Sequence, residues 1–309
     1  MRLTLEQAIH NARSAGNSRL FPAKDDPRIR HGAVFSEFAP RFKLSSGSSL
    51  FTLGSCFART VEEKLPGFSL PTTKIASAPG ERPGRPNGIL NEYNPGTMCQ
   101  RIEYAARRAG FGDRCIARER DGYIDLLLPE YVTPATKERL LARRAEVDAV
   151  YEGLALCDAV IVTLDLVEAW YDTATGLFVN RMPPTALLLA DRTRFELHIL
   201  DVAEVQCLME RMIKAFFASG IMKIILTVSP APLENTYSGQ DCAIANSYSK
   251  SVLVVSAQNL SRCYPQVDYF PGYEIVTSAG PEAYQTDAVH VQDILVEQVT
   301  DYLVAQYAH

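Results

Sequence analysis

Short apolar runs alternate with longer amphipathic stretches through most of the chain. The runs at residues 50–53, 158–164 and 222–228 have the length and continuity typical of strands that are buried on both faces. Between them, apolar residues recur at helical spacing. This spacing predicts helices over residues 56–65, 97–109, 136–156, 202–217, 241–260 and 291–307. Strands that alternate with helices predict a parallel sheet with helical crossovers, so we expect an α/β protein.

Three regions depart from this alternation. Residues 1–48 mix charges, Pro and Gly, and we expect an arm with a helical start that lies over a single domain formed by the whole chain, 1–309. Residues 66–97 hold six of the eighteen prolines, which predicts a long surface loop of functional importance. Residues 105–150 are expected to form a helical excursion from the main domain.

Composition narrows the classes of partner. The 309 residues include 31 Lys plus Arg and 36 Asp plus Glu, a net charge of −5, which disfavours a nucleic-acid partner. No apolar run approaches the roughly 18 residues that a membrane span requires, and the N-terminus lacks the pattern of a signal peptide. We therefore expect a cytoplasmic protein with neither membrane nor nucleic-acid partners.

Motifs for metals and nucleotide cofactors are missing from the sequence. The seven cysteines have no paired spacing, which favours reduced thiols over disulfides. There is no CxxC and the five histidines are scattered, so zinc is not expected. Neither GxGxxG nor a Walker motif occurs, and no cofactor is predicted.

Residues with catalytic potential follow the apolar runs. In an open α/β sheet, ligands bind beyond the carboxyl ends of the strands. The segments at those ends are Gly54-Ser55-Cys56, then Asp165 to Trp170, then Ser229, and Asp287 to His290 directly before the last helix. A nucleophile, a histidine and an acid are thus predicted at one rim.

The spacing of Asp287 and His290 has a chemical meaning. In a loop that enters a helix, the carboxylate folds back onto imidazole Nδ1, fixes the tautomer and leaves Nε2 as a general base. The alternative is an aspartate that caps the helix beside a surface histidine, and the spacing alone does not distinguish the two.

Several segments together resemble one family. FTLGSCFA resembles the signature of the GSCFA family, whose relatives are the SGNH or GDSL hydrolases. DAVIVTLDLVEAW, IILTVSPAPLENTYSG, ANSYSKSVL, VDYFPGYEIV and TDAVHV resemble further segments of that family, and the set covers about residues 49–291. The resemblance implies a flavodoxin-like three-layer α/β/α sandwich with a mostly parallel five-stranded sheet.

The same resemblance implies acyl-ester chemistry, either hydrolysis or O-acyl transfer, through a covalent acyl-enzyme on a nucleophile-His-Asp triad. It places Cys56 at the nucleophile position, with His290 as base and Asp287 as its orienting acid. A thiol in the first helical turn is also favoured physically, because the unpaired N–H groups stabilise a thiolate and lower its pKa. Alternatively, Cys56 is a small buried hydrophobe and Ser55 is the nucleophile or a helix cap.

The oxyanion site is less clearly marked. The wider superfamily has a GxND block after the third strand, whereas this chain has Asp165 to Glu168, with Asp165 where the family usually has glycine. We therefore expect the backbone N–H of Cys56 to bind the oxyanion, with Asn94 or Gly96 as a second donor. Asn94 is equally well explained as a turn former before Pro95.

Other polar and aromatic residues are weaker candidates for substrate binding. Asn246, Ser249 and Lys250 resemble the family's N..SK pattern and share one helical face, although a solvated polar face has the same spacing. Glu168, Trp170 and Ser229 are placed near the substrate by their positions after strands, and Trp170 could instead pack in the core or rim.

These features predict an acyl-ester hydrolase or O-acyltransferase that acts on a small-molecule or carbohydrate acyl ester, and the resemblance suggests a bacterial one. Two other classes fit the same residues. One is a non-catalytic binding module that kept the fold, which the altered block at Asp165 favours. The other is a biosynthetic enzyme that uses a reactive Cys56 for different chemistry.

Overall fold

A computed structural model describes residues 2–75, 85–119, 122–129 and 133–308. In this part of the chain the helices are α1 Leu5–Ser14, α2 Cys56–Glu63, α3 Pro95–Ala106, α4 Lys137–Glu152, α5 Thr185–Ala190, α6 Val202–Ala218, α7 Cys242–Cys263, α8 Gly272–Ser278 and α9 Asp293–Tyr307. The strands are β1 Ile29–Arg30, β2 Ala33–Val34, β3 Leu50–Gly54, β4 Ile116–Glu119, β5 Gly122–Asp125, β6 Ala159–Leu164, β7 Glu168–Asp172, β8 Leu177–Val179, β9 Phe195–Ile199, β10 Ile224–Val228 and β11 Val267–Tyr269.

The central sheet is parallel and has the strand order β11-β10-β6-β3. It has four strands in the described residues, whereas the resemblance implied five. After α2 the chain returns to the edge of β3 at Ser69, which forms a single parallel bridge with Ser49. Residues 76–84 lie outside the described residues.

Helices cover both faces of this sheet, which makes a three-layer α/β sandwich. Consecutive residues of β3, such as Leu50 and Phe51, belong to separate cores on the two faces of the sheet. Phe51 packs in the core formed with α3, α6 and α7. Leu50 packs in the core formed with α2, α8 and α9. Both faces of the strands are apolar because both are covered, as the continuous apolar runs predicted.

Two small β structures lie outside the central sheet. Within residues 105–150, the expected helical excursion contains the antiparallel hairpin β4-β5 as well as α4. A three-stranded antiparallel sheet, β8-β7-β9, occupies the region after Asp165 and was not predicted. The hairpin and this sheet share an apolar cluster that includes Phe111, Ile124 and Val179. This shared burial, rather than strong local propensity, accounts for these short strands.

The N-terminal arm is only partly packed. None of the residues of α1 is buried. Farther along, Phe35 and Leu44 are buried in the core that α9 helps to form, and Phe42 contacts Tyr307. In the described part of the chain, no helix has the length and apolar character needed to cross a bilayer.

The outer edge of β3 is covered by a buried polar network. Among the described residues no strand pairs with the outer side of β3, and Arg59 of α2 donates to the carbonyl of Thr52 there at 2.7 Å. Arg59 also pairs with Glu62, and both side chains are fully buried. Glu62 accepts hydrogen bonds from Thr52 and Thr72 as well. The network therefore supplies hydrogen-bond partners for the outer edge of β3 and fixes α2 against that edge.

This network predicts that substitutions of two adjacent glutamates lower the free energy of unfolding by unequal amounts. Glu62→Gln should lower the free energy of unfolding by about 3 kcal/mol, because it leaves the Arg59 charge buried without its partner. The control is Glu63→Gln on the same helix, whose half-exposed carboxylate pairs with Arg85. Its cost should be below about 1 kcal/mol. Denaturant unfolding measures both, and equal costs would contradict a structural role for the network.

Candidate functional site

The turn between β3 and α2 requires glycine. Gly54 has φ +152°, and a Cβ placed there would lie 2.6 Å from the carbonyl oxygen of Thr163 on β6. Ser55 follows as the N-cap and Cys56 as the first residue of α2. The close approach of the two strands thus places these two candidate nucleophiles directly at the carboxyl end of the sheet.

The adjacent side chains of Ser55 and Cys56 have different environments. Ser55 is fully buried, and its Oγ makes no hydrogen bond within the described structure. Its hydroxyl does not cap α2, so the alternative that Ser55 is a side-chain helix cap is wrong. Cys56 is only partly buried and lines a cavity. Of the two residues, Cys56 is the one that a ligand in this cavity can reach.

The cavity has a volume of about 480 Å³ and is lined by Cys56, Arg85, Asn91, Ala231, Gln285 and His290, among others. It brings Cys56 together with His290 from the other end of the chain. Another cavity, of about 260 Å³, lies between α3 and α4, with no Cys, Ser or His among its described lining residues. The larger cavity is therefore the candidate active site.

His290 is oriented by Asp287. The imidazole Nδ1 lies 2.6 Å from Oδ2 of Asp287, while Oδ1 accepts the backbone N–H groups of Val289 and His290, both at 3.0 Å. These two backbone hydrogen bonds, together with the hydrogen bond to the His290 imidazole, lower the pKa of Asp287 to about 2. An ionised carboxylate at Nδ1 favours the tautomer that leaves Nε2 as the free base.

Cys56 and His290 both line the cavity, but no hydrogen bond joins the thiol to the imidazole in the described structure. The His290 side chain is about half exposed, at 58%. A base so exposed can approach the thiol when a ligand fills the cavity, since catalytic hydrogen bonds often tighten only in the complex.

The expected lowering of the Cys56 pKa is wrong. Burial is the main cause that raises the pKa of the Cys56 thiol to about 11, and the negative charge of Asp165 adds to it. The N–H of Phe57 and the charge of Arg85 act in the opposite direction but are outweighed. The first turn of α2 therefore does not make the thiol acidic, and at neutral pH it is protonated.

The predicted polar face of α7 is buried and holds two loops. Ser249 accepts the N–H of Val167 at 3.1 Å, and Lys250 donates to the carbonyl of Asp165 at 2.6 Å. Asn246, one turn earlier, accepts the N–H of Leu233 at 3.1 Å. Ser249 and Lys250 are almost fully buried, so the solvated-face interpretation is wrong for them.

The other predicted substrate residues after β6 and β10 also hold a loop. Glu168 accepts the N–H of Tyr237 at 3.0 Å, and Trp170 packs against the Tyr237 ring with centroids 5.7 Å apart. Buried Ser229 accepts the N–H of Ala231. None of Glu168, Trp170 and Ser229 is among the described residues that line the cavity, but Ala231 of the loop they hold is.

The expected second oxyanion donors have structural roles. Asn94 is the N-cap of α3, and its side chain accepts the N–H of Thr97 at 2.9 Å. A Cβ on Gly96 would lie 2.4 Å from the ring of Phe178. Neither residue lines the Cys56 cavity, whereas Asn91 does. Asn91 was not predicted from the sequence, although it lies in the same NEYNPG segment.

Arg85 and Gln285 were also missed. Arg85 donates to the carbonyl of Cys56 at 3.1 Å and to the hydroxyl of Thr60 at 3.0 Å. It belongs to the proline-rich loop that we expected to be functional, and this was the only signal in the sequence. Gln285 lies close to Asp287 in the chain and binds the backbone of Val291.

A sequence model of the GSCFA family matches residues 49–303, well over half of the chain. The chain therefore belongs to the GSCFA family. No curated protein matches it.

The close contact between Gly54 and the Thr163 carbonyl predicts that one added methyl group at residue 54 strongly lowers the free energy of unfolding. Gly54→Ala should cost more than about 2 kcal/mol of unfolding free energy, because the added Cβ meets the Thr163 carbonyl and the backbone is strained. The control is Gly67→Ala, at φ +80° with open space around it, for which strain alone should cost about 1 kcal/mol. Thermal or denaturant unfolding tests both, and a stable Gly54→Ala variant would contradict this description of the turn.

Proposed function

We propose that this member of the GSCFA family is an acyl-ester hydrolase or O-acyltransferase with Cys56 as nucleophile. The observation that carries the proposal is the common cavity of the Cys56 thiol and an imidazole oriented by Asp287. His290 acts as general base and general acid. Asp287 holds its tautomer and stabilises the imidazolium that forms during the reaction.

In the first half-reaction, Nε2 of His290 takes the thiol proton while Sγ of Cys56 bonds to the ester carbonyl carbon. The negative charge on the tetrahedral oxygen is stabilised by the backbone N–H of Cys56 at the start of α2. The carbon–oxygen bond to the alcohol then breaks, and His290 returns the proton to the leaving oxygen. The product is a thioester on Cys56.

In the second half-reaction, His290 takes a proton from water or from an acceptor hydroxyl, whose oxygen attacks the thioester carbonyl. The carbon–sulfur bond breaks and His290 returns the proton to the Cys56 sulfur. Water gives hydrolysis, and an alcohol gives acyl transfer. Asn91 lies on the cavity wall and is our candidate for a side chain that contacts the carbonyl oxygen.

The high pKa of Cys56 gives His290 a defined task. A neutral thiol is a weak nucleophile, so attack requires a base that removes the proton during the reaction. Because no hydrogen bond links the two groups in the described structure, we propose that substrate binding brings the exposed His290 ring towards Cys56.

The cavity is compatible with a small acyl ester. A volume of about 480 Å³ lies within the usual size of small-molecule sites. Its lining is mixed, with polar Arg85, Asn91 and Gln285 beside apolar side chains such as Phe57 and Val291. The polar groups suit the hydroxyl and carbonyl groups of an acylated carbohydrate, and the apolar groups suit its acyl chain. A relation to SGNH or GDSL hydrolases, a fifth sheet strand and a cytoplasmic location are further parts of this proposal.

A non-catalytic binding module is the second candidate. A specific observation favours it: the thiol is neutral and has no hydrogen bond to His290 in the described structure. Such a module would use the same cavity for ligands without forming a bond to Cys56. A biosynthetic enzyme with a reactive Cys56 would form a covalent bond, but not with an ester.

The test is incubation with an activated acyl ester, followed by mass spectrometry of the intact protein and its peptides. We expect an acyl adduct on the peptide that contains Cys56, and no adduct in Cys56→Ala. The matched control is Cys242→Ala, because Cys242 also begins a helix and is half-buried but does not line this cavity. The Cys242→Ala variant should therefore still form the adduct on Cys56. Loss of the adduct in Ser55→Ala but not in Cys56→Ala would assign the reaction to the serine.

The same experiment separates catalysis from simple thiol reactivity. Asp287→Asn should slow acylation about 100-fold or more, because the imidazole loses its ionised partner. Asp293→Asn is the control, since Asp293 lines the cavity without a described bond to His290, and its effect should be small. Equal rates in Asp287→Asn and the unmodified protein would contradict the assigned triad and favour the binding module.

A further inference from the structure

An arginine is fixed against the first turn of α2 in the candidate active site. Nη1 of Arg85 donates to the carbonyl of Cys56 at 3.1 Å and to the hydroxyl of Thr60 at 3.0 Å. Its Nε pairs with Oε1 of Glu63 at 2.7 Å. These contacts hold the guanidinium at the residue that carries the candidate nucleophile. The Arg85 side chain lines the cavity and is 29% exposed.

The guanidinium of Arg85 keeps donors that these contacts do not use. An arginine side chain has five N–H groups in one plane. The contacts with Cys56, Thr60 and Glu63 use one N–H at Nε and two at Nη1, and the two N–H groups of Nη2 have no partner in the described structure. Anchoring of the proline-rich loop therefore accounts for Nε and Nη1, and Nη2 is available to a ligand.

The charges around the cavity leave Arg85 available to an anion. Among the described residues that line the cavity, Arg85 is the one arginine or lysine and Asp293 is the one carboxylate. No ion pair joins these two side chains in the described structure, and Asp287 is bound to His290. Glu63 does pair with Arg85, but its side chain is 45% exposed, and exposed pairs of this kind are weak.

A carboxylate is the anion that these surroundings suit. Carboxylates form charge-assisted hydrogen bonds with the planar N–H groups of a guanidinium. A doubly charged phosphate would be repelled more strongly by the nearby carboxylates of Glu63 and Asp293 than a singly charged carboxylate. Because Arg85 contacts the backbone of Cys56, a carboxylate on Nη2 lies a short distance along the substrate from the carbonyl that reacts.

We propose that Arg85 is a specificity-determining residue that binds a carboxylate of the substrate, so that the ester accepted in this cavity is anionic. This inference deepens the proposed function and rests on it for the role of the cavity as an ester site. The carboxylate belongs either to the acyl group, as in the half-ester of a dicarboxylic acid, or to the alcohol, as in an acylated uronic acid.

The test compares matched anionic and neutral ligands that contain no ester, by calorimetric titration of the full chain at constant ionic strength. Succinamate against succinamide represents a carboxylate on the acyl group, and glucuronate against glucose represents one on the alcohol. In one of these pairs we expect the anionic ligand to bind about tenfold more tightly, or better, than the neutral one. The pair that shows this preference identifies the part of the substrate that carries the carboxylate.

Variants of the arginine and of its partner separate charge from loop position. Arg85→Gln should remove the preference for the anionic ligand, and Arg85→Lys should keep part of it, because the charge remains. Affinity for the neutral ligand should be unchanged in both variants. The matched control is Glu63→Gln, which removes a partner of Arg85 but keeps the cation. Its affinity for the anionic ligand should be equal to that of the unmodified protein or up to about fivefold higher.

Equal affinities within both ligand pairs would overturn the inference, as would a preference that persists in Arg85→Gln. An equal loss of preference in Glu63→Gln would overturn it too, because the position of the loop would then be decisive. Binding forms no bond to Cys56, so Cys56→Ala should show the same preference. Failure to form an acyl adduct would therefore refute the proposed function and not carboxylate binding, whereas a missing preference would leave acylation of Cys56 intact.

Discussion

The close approach of β3 and β6 at Gly54 is the constraint on which the site depends. The carbonyl of Thr163 occupies the space where any other residue would have its Cβ. The chain must therefore turn sharply into α2, which buries Ser55 and directs Cys56 into the cavity. The same pairing of Gly54 with Thr163 places the end of β6 next to the turn that carries Cys56, so one backbone contact determines where the candidate nucleophile lies relative to the sheet.

The two halves of the site are held in different ways. Cys56 lies at the start of a helix that a buried ion pair, Arg59 with Glu62, fixes to the edge of the sheet. His290 lies in a short exposed turn whose shape depends on the bonds to Asp287 and on a left-handed Ala288. A nucleophile on a buried, ion-paired helix and a base on an exposed turn fit the proposal that the reactive form appears only with ligand bound.

The periodicity of the sequence correctly predicted three of the four described strands of the main sheet (β3, β6 and β10) and six helices (α2, α3, α4, α6, α7 and α9), because continuous apolar runs reflect burial on both faces. It did not predict β7, β8 and β9, since these strands depend on a shared apolar cluster with the hairpin rather than on local pattern. At the site, the Asp287–His290 contact could be predicted because both residues belong to one short turn. The burial that raises the Cys56 pKa, the roles of Asn91 and Arg85, and the inward-facing α7 residues depend on contacts between distant segments, which spacing does not reveal.

The most direct test of a Cys56–His290 reaction centre is a crystal structure of the protein after reaction with an activated acyl ester. We expect a thioester on Sγ of Cys56, with Nε2 of His290 moved to within about 3.5 Å of the sulfur or of the carbonyl carbon. Asp287 should still bind Nδ1. An acyl group on Ser55 or on any other residue, or an imidazole that stays out of reach of the thioester, would contradict this mechanism.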